Sequence, residues 1–185
     1  MPMTGVRSDG WVDGAARVVS PNADVRPEGV RVSLVVIHNI SLPPGRYGGG
    51  QVERLFTNGL RGGEHPFTDR LLGARVSAHF FISRDGRCTQ FVSCLDRAWH
   101  AGVSSFRGRP QCNDFSIGIE LEGTDFEPYA DAQYDSLNAL LKALVAAFPI
   151  EAVVGHCDVS GERKTDPGPF FRWDLLEILP ALRAR

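Results

Sequence analysis

An α/β (α+β) fold, a β-sheet with helices packed on it, is what this sequence predicts, and three features predict it. Two short β-branched runs, SLVVIH at 33–38 and EAVVGH at 151–156, have the length and composition of buried strands. The segment SIGIEL at 116–121 alternates cleanly, with Ile117, Ile119 and Leu121 on one face and Ser116, Gly118 and Glu120 on the other. Residues 131–148 repeat apolar side chains (Tyr134, Leu137, Leu141, Leu144, Phe148) at three- and four-residue steps. That spacing predicts one long amphipathic helix, with Asp131 placed to cap its first turn. Strands interleaved with helices pack as a sheet covered by helices.

The other elements follow in chain order. Residues 1–30 are polar and turn-rich, a lead-in segment whose expected packing anchors are Trp11, Val18 and Val19. Prolines and glycines make NISLPPGRYGGG a loop. Residues 51–58 are expected as a short helix inside an irregular stretch that reaches Leu72. A loop of this length in a compact domain is usually functional or disordered. VSAHFFIS at 76–83 is a further strand, and the RDGR turn signal leads it into a hairpin partner at 88–92. Past the loop CDVSGERKTDPGP, residues 171–179 are expected as a last short helix. With no repeat, low-complexity tract or linker, residues 1–185 read as a single domain.

Composition narrows the partners. A formal net charge of −2 supplies no basic field for nucleic acid or an anionic membrane, so a small-molecule or protein partner is expected. A monomer is the expected state, although no motif in the sequence shows it. The N-terminus lacks an apolar stretch behind a basic start, and no run approaches a membrane span. The four cysteines (88, 94, 112, 157) form no CxxC pair and are expected free and reduced, which makes the cytoplasm the expected location.

Two strands ending in histidine would bring His38 and His156 to one rim if they are sheet neighbours. Asp166, in a TDPG turn ten residues beyond His156, can fold back over that rim. Two imidazoles and a carboxylate make a three-ligand metal site with an open position; partly exposed packing or capping histidines are the alternative. Glu120, on the face away from the isoleucines, can act as a general base or lie as a surface residue on an edge strand; Glu122 shares its face. Lys164 can stabilise an oxyanion or simply be solvated, and Arg163 competes for that role. His79, flanked by aromatics, reads as a core or cleft-lining residue, and His100 after Trp99 as part of a sugar or peptide site. His65 is expected to face solvent. Strand alternation points the Cys157 thiol away from His156, into the core.

The segments VVIHNISLPPG, FTNG, RVSAHFFISRDG, RAWHAGVSSFRGR, CNDFSIGIELEGTD and GHCDVSGERKTDPGP, spread over about 10–173, resemble AmpD-type amidases. These are cytoplasmic enzymes of cell-wall recycling that act on 1,6-anhydro-N-acetylmuramyl-L-alanine. The resemblance implies a central mixed β-sheet flanked by helices and one zinc ion per chain on His38, His156 and Asp166. It further implies Glu120 as acid/base, Lys164 as the oxyanion's cation and an anhydro-muropeptide substrate. In a host with an inducible β-lactamase circuit, it implies an indirect brake on induction. The blocks that line the family's cleft contain Arg75, His79, Trp99, His100 and Asn113. Arg75 and Arg109 are suited to pair with peptide carboxylates through a bidentate fork. Gln111 departs from the pattern, since relatives tend to carry a basic residue there, which bears on affinity for the peptide's acidic end. Rival readings are a muropeptide sensor without catalysis, an endolysin or autolysin acting on intact wall, and a structural zinc protein. A structural site favours four ligands, mostly cysteine, and fits these residues poorly.

Overall fold

The computed structural model describes residues 3–178 and 182. In chain order the strands are β1 (Ala16–Arg17), β2 (Ala23–Val25), β3 (Leu34–Ile40), β4 (Phe80–Ile82), β5 (Cys88–Gln90), β6 (Asp96–Ala98), β7 (Ser105–Phe106), β8 (Arg109–Pro110), β9 (Ser116–Glu122) and β10 (Ala152–Gly155). The helices are α1 (Gln51–Phe56), α2 (Pro66–Asp69), α3 (Asp131–Ala147) and α4 (His156–Ser160). Six strands form the main sheet in the order β1-β5-β4-β9-β3-β10. Its pairings are parallel except for the β4–β5 hairpin, so the sheet is mixed and helices cover it, as expected.

Alternation decides the two faces. Val35, Ile37, Ile117, Ile119, Leu121 and Val153 turn to one side and pack against Leu137, Leu140, Leu141 and Leu144 of α3. Leu34, Val36, Ala152 and Val154 turn to the other and meet Phe115, Ala101 and Val159. A further cluster under the 41–74 segment joins α1 (Val52, Leu55, Phe56) to Phe81 and Phe91. Because β9 is flanked by β4 and β3, all seven of its residues are buried. Glu120 therefore stands on a central strand, which removes the edge-strand alternative.

Several boundaries move. The first histidine strand runs two residues past His38, and the second stops at Gly155, so that His156 opens α4. Cys157 is thus helical and half-exposed, because strand alternation does not apply there. Only Phe80–Ile82 of the 76–83 run is strand. The cap of α3 is Ala130, whose N–H donates to the Gln133 side chain at 3.1 Å, and Asp131 is the first helical residue. The expected helix at 171–179 is reduced to a 3₁₀ turn at Trp173–Leu175, and residue 179 lies outside the described residues. Trp11 is buried, but Val18 and Val19 are exposed. The lead-in instead joins the fold through backbone pairing, β1 with β5 and β2 with β6. In the irregular stretch, His65 caps α2 by accepting from Phe67 N–H at 3.0 Å and is half-buried rather than solvent-facing.

Candidate metal centre and active site

Parallel pairing brings the chemistry to one rim. Strand β3 pairs with β9 so that His38 faces Glu120, and with β10 so that Ile37 faces Gly155, the residue before His156. His38 and Glu120 lie on the face opposite the isoleucines, at the carboxyl ends of parallel strands, where open sheets form their crevices. Asp166 arrives on a loop that the backbone holds in place. Its carbonyl accepts from Cys157 N–H at 3.0 Å, and the carbonyl of Pro167 accepts from Tyr129 Oη–H at 2.7 Å and Asn39 Nδ2–H at 3.2 Å. Asp125 accepts from Asn39 and from the Thr165 hydroxyl, pinning the loop from its other side. Gly168, at φ +80°, is needed there: a Cβ would lie 2.5 Å from Asp125.

The result is a triangle of three ligand atoms. His38 Nδ1 and His156 Nδ1 are 3.0 Å apart, and Asp166 Oδ2 is 3.2 Å from the first and 3.1 Å from the second. Both histidines are buried, 1% and 5% exposed, so neither is the partly exposed capping residue of the alternative reading. Burial pulls the His38 pKa down to about 4, against the pull of Asp166, which leaves the ring neutral at pH 7. Among the described residues this cluster can hold a metal ion.

A cleft of about 690 Å³ opens above the triangle, lined by His38, His156, Asp166, Glu120 and Lys164 together. Glu120 is buried, and among the described residues its Oε2 has no hydrogen-bond partner. Burial, then the charge of Asp166, raises its pKa well above the ordinary carboxylate value, while Lys164 acts in the opposite sense. Arg163 does not compete with Lys164, since its guanidinium donates to the Val103 carbonyl. Glu122, despite sharing the face, accepts from the backbone N–H groups of Gly48 and Arg84 and ties loops together.

Of the expected substrate contacts, Trp99 and His100 line the cleft. The others do not. His79 is fully buried: its Nδ1 accepts from Gly118 N–H at 3.0 Å and its Nε2 lies 3.1 Å from the Asp96 carbonyl. Asn113 uses its Oδ1 to accept the N–H groups of His100 and Ala101. Arg109 is exposed on β8 with its guanidinium stacked 3.9 Å over Phe115. Arg75 is exposed beside the lining residue Val76. Unforeseen lining residues are Asn39, Phe67 and the 123–127 segment with the exposed Phe126. For 123–127, directly after β9, and for Asn39, next to His38 at the end of β3, position at a strand's carboxyl end was the available signal; Phe67, in α2, carried none.

Buried neutral histidine has a consequence for stability. Burial, then the Arg26 charge, takes the pKa of His79 from 6.5 to about 3. Below pH 6.5 the unfolded chain gains a proton that the folded chain refuses. The stability present above pH 6.5 is therefore lost as pH falls toward 3, at up to about 1.4 kcal/mol per pH unit. Denaturant midpoints for metal-free protein at pH 7.5 and 5.0 are expected to show the decline. His79→Gln, which accepts and donates without titrating, is expected to reduce that decline by about 2 kcal/mol. An equal decline in both proteins would contradict it.

A buried two-histidine, one-carboxylate cluster that could hold a metal ion shares one cleft with Glu120 and Lys164, the setting of a hydrolase. The chain belongs to the N-acetylmuramoyl-L-alanine amidase family, whose pattern matches residues 28–169. It is 53% identical over 173 residues to the 1,6-anhydro-N-acetylmuramyl-L-alanine amidase AmpD of Citrobacter freundii, covering 92% of each chain. The crystal structure of a selenomethionine AmpD derivative superposes with a TM-score of 0.90 at 50% identity, over 94% of this chain and 98% of that one. The amidase AmiD from E. coli, in complex with the substrate anhydro-N-acetylmuramic acid-L-Ala-D-γ-Glu-L-Lys, is similar at 28% identity with a TM-score of 0.57. That match covers 92% of this chain and 63% of AmiD.

Proposed function

We propose that this protein hydrolyses the amide between 1,6-anhydro-N-acetylmuramic acid and L-alanine in muropeptides, as a zinc enzyme of cytoplasmic cell-wall recycling. The substrate class is that named for the relatives at about 50% identity and held by AmiD in its complex. Among the described residues, no helix is long and apolar enough to cross a membrane. The chain works as one catalytic domain, a reading supported by the lead-in strand β1 extending the main sheet.

The carrying observation is the triangle of His38, His156 and Asp166 on the floor of a cleft that also holds Glu120. Its sides of 3.0–3.2 Å suit tetrahedral zinc, whose nitrogen and oxygen ligands stand about 3.3 Å apart. Zinc, when bound, polarises water and the scissile carbonyl and brings the water's pKa toward about 7. Glu120 accepts the proton of the attacking water at its unpartnered carboxylate. Lys164 sets its ammonium against the negative charge that develops on the carbonyl oxygen. Glu120 then delivers the proton to the alanine nitrogen as the C–N bond breaks. One water is consumed, leaving a lactyl carboxylate on the sugar and a free amine on the peptide.

Zinc-loaded protein incubated with anhydromuropeptide is expected to yield free peptide and anhydromuramic acid by mass spectrometry, while intact sacculi release little peptide. No cleavage of the small substrate would refute the reading. Rapid solubilisation of sacculi would reassign the protein to wall lysis.

A further inference from the structure

We propose that His100 is a positioning residue that aims the His38 lone pair into the metal site, through a one-way chain of hydrogen bonds ending on the Cys112 carbonyl. The inference rests on the reading of His38 as a metal ligand. The chain starts at a group that can only accept. Ser116 Oγ lies 2.6 Å from the Cys112 carbonyl and spends its single proton there. His100 Nε2 lies 3.2 Å from that same hydroxyl oxygen, so it must be the donor. Among the described residues the bonds of the His100 ring run to Ser116 and His38, with no carboxylate partner, and a neutral imidazole carries one N–H. His100 Nδ1 is therefore an acceptor, and the 2.9 Å contact with His38 Nε2 is a bond that His38 donates. With its proton held on Nε2, His38 turns an unprotonated Nδ1 toward His156 and Asp166.

The surroundings are built to hold this ring. Gly118 lies beneath it, and a Cβ there would come within 2.4 Å of the imidazole. Asn113 Oδ1 grips the N–H groups of His100 and Ala101 at 3.2 and 2.8 Å. The next carbonyl, Ala101, faces His156 Nε2 at 3.4 Å and orients the second ring in the same sense. One short segment thus sets the tautomer of both imidazoles. Outer partners of this kind typically govern about 10–100-fold in metal affinity.

The test uses the full chain and reads ring nitrogens and zinc affinity rather than turnover. In metal-free wild type, ¹⁵N spectra are expected to show His38 as the Nε2–H tautomer, with Nδ1 unprotonated. Chelator competition with zinc is expected to give a dissociation constant about 10–100-fold weaker in His100→Leu. In His100→Asn, whose Oδ1 restores an acceptor for His38, the loss is expected to shrink to about threefold. A wild-type His38 protonated on Nδ1 would overturn the proposal, and this arm needs no variant to fold. Unchanged zinc affinity in a folded His100→Leu protein would overturn it as well. If wild type bound no zinc, the proposed function would fall, while the tautomer spectrum would still decide the role of His100.

Discussion

Asp166→Ala is expected to lose zinc and activity together. Removing one of three ligands leaves two imidazoles, and the carboxylate is the one anion in the cluster. Turnover should fall to the uncatalysed background, at least about 10³-fold below wild type, because water is no longer activated. The fold is expected to survive. The loop around position 166 is anchored through backbone atoms and through Asp125, none of which requires the Asp166 side chain. Metal analysis after dialysis is expected to find well under one zinc per chain, against one in wild type. A second reading comes from thermal stability. Free zinc at 1,000 times its dissociation constant stabilises wild type by about 4 kcal/mol, and the variant should show almost none of this. Full zinc occupancy in a folded Asp166→Ala protein would remove Asp166 from the site.

Glu120→Gln is expected to separate chemistry from metal binding. The substitution preserves shape and removes only the ability to take a proton, and Glu120 stands outside the ligand triangle. Loss of a well-placed general base costs about 10²–10⁴ in rate, while zinc content should stay at one per chain. Its stability should also hold or rise. Burial and the charge of Asp166 already oppose ionisation of Glu120, and its Oε2 makes no hydrogen bond that glutamine would break. Near-normal turnover with zinc retained would assign the proton transfers to another group. A fall in zinc content would mean that Glu120 belongs to the metal site itself.

Much of this site is legible in the amino-acid sequence. The alternation in SIGIEL assigns Glu120 to the face away from the isoleucines, and β9 keeps that assignment. The two histidine runs read as strands, and the condition for their histidines to meet is fulfilled, since β3 and β10 are adjacent and parallel. Local pattern succeeds here because side-chain alternation is a property of each strand alone. It fails where long-range contacts decide the outcome. The strand pattern stops at Gly155 and never reaches Cys157, which lies in α4. Val18 and Val19 look like anchors by composition, yet the segment is held by backbone pairing.

The residues by themselves determined the candidate metal-binding side chains, the face that carries Glu120, the amphipathic α3 and the family to which the chain belongs. Only the tertiary structure decided which of the other polar residues meet the cleft. Arg75, Arg109, Asn113 and His79 sit in suggestive motifs, but one stacks on Phe115, two serve the interior, and one lies outside the lining. Proton direction along His38, His100, Ser116 and Cys112 is equally invisible in one dimension. It depends on four groups from three separate segments lying within hydrogen-bond reach of one another, a distance that chain order does not encode.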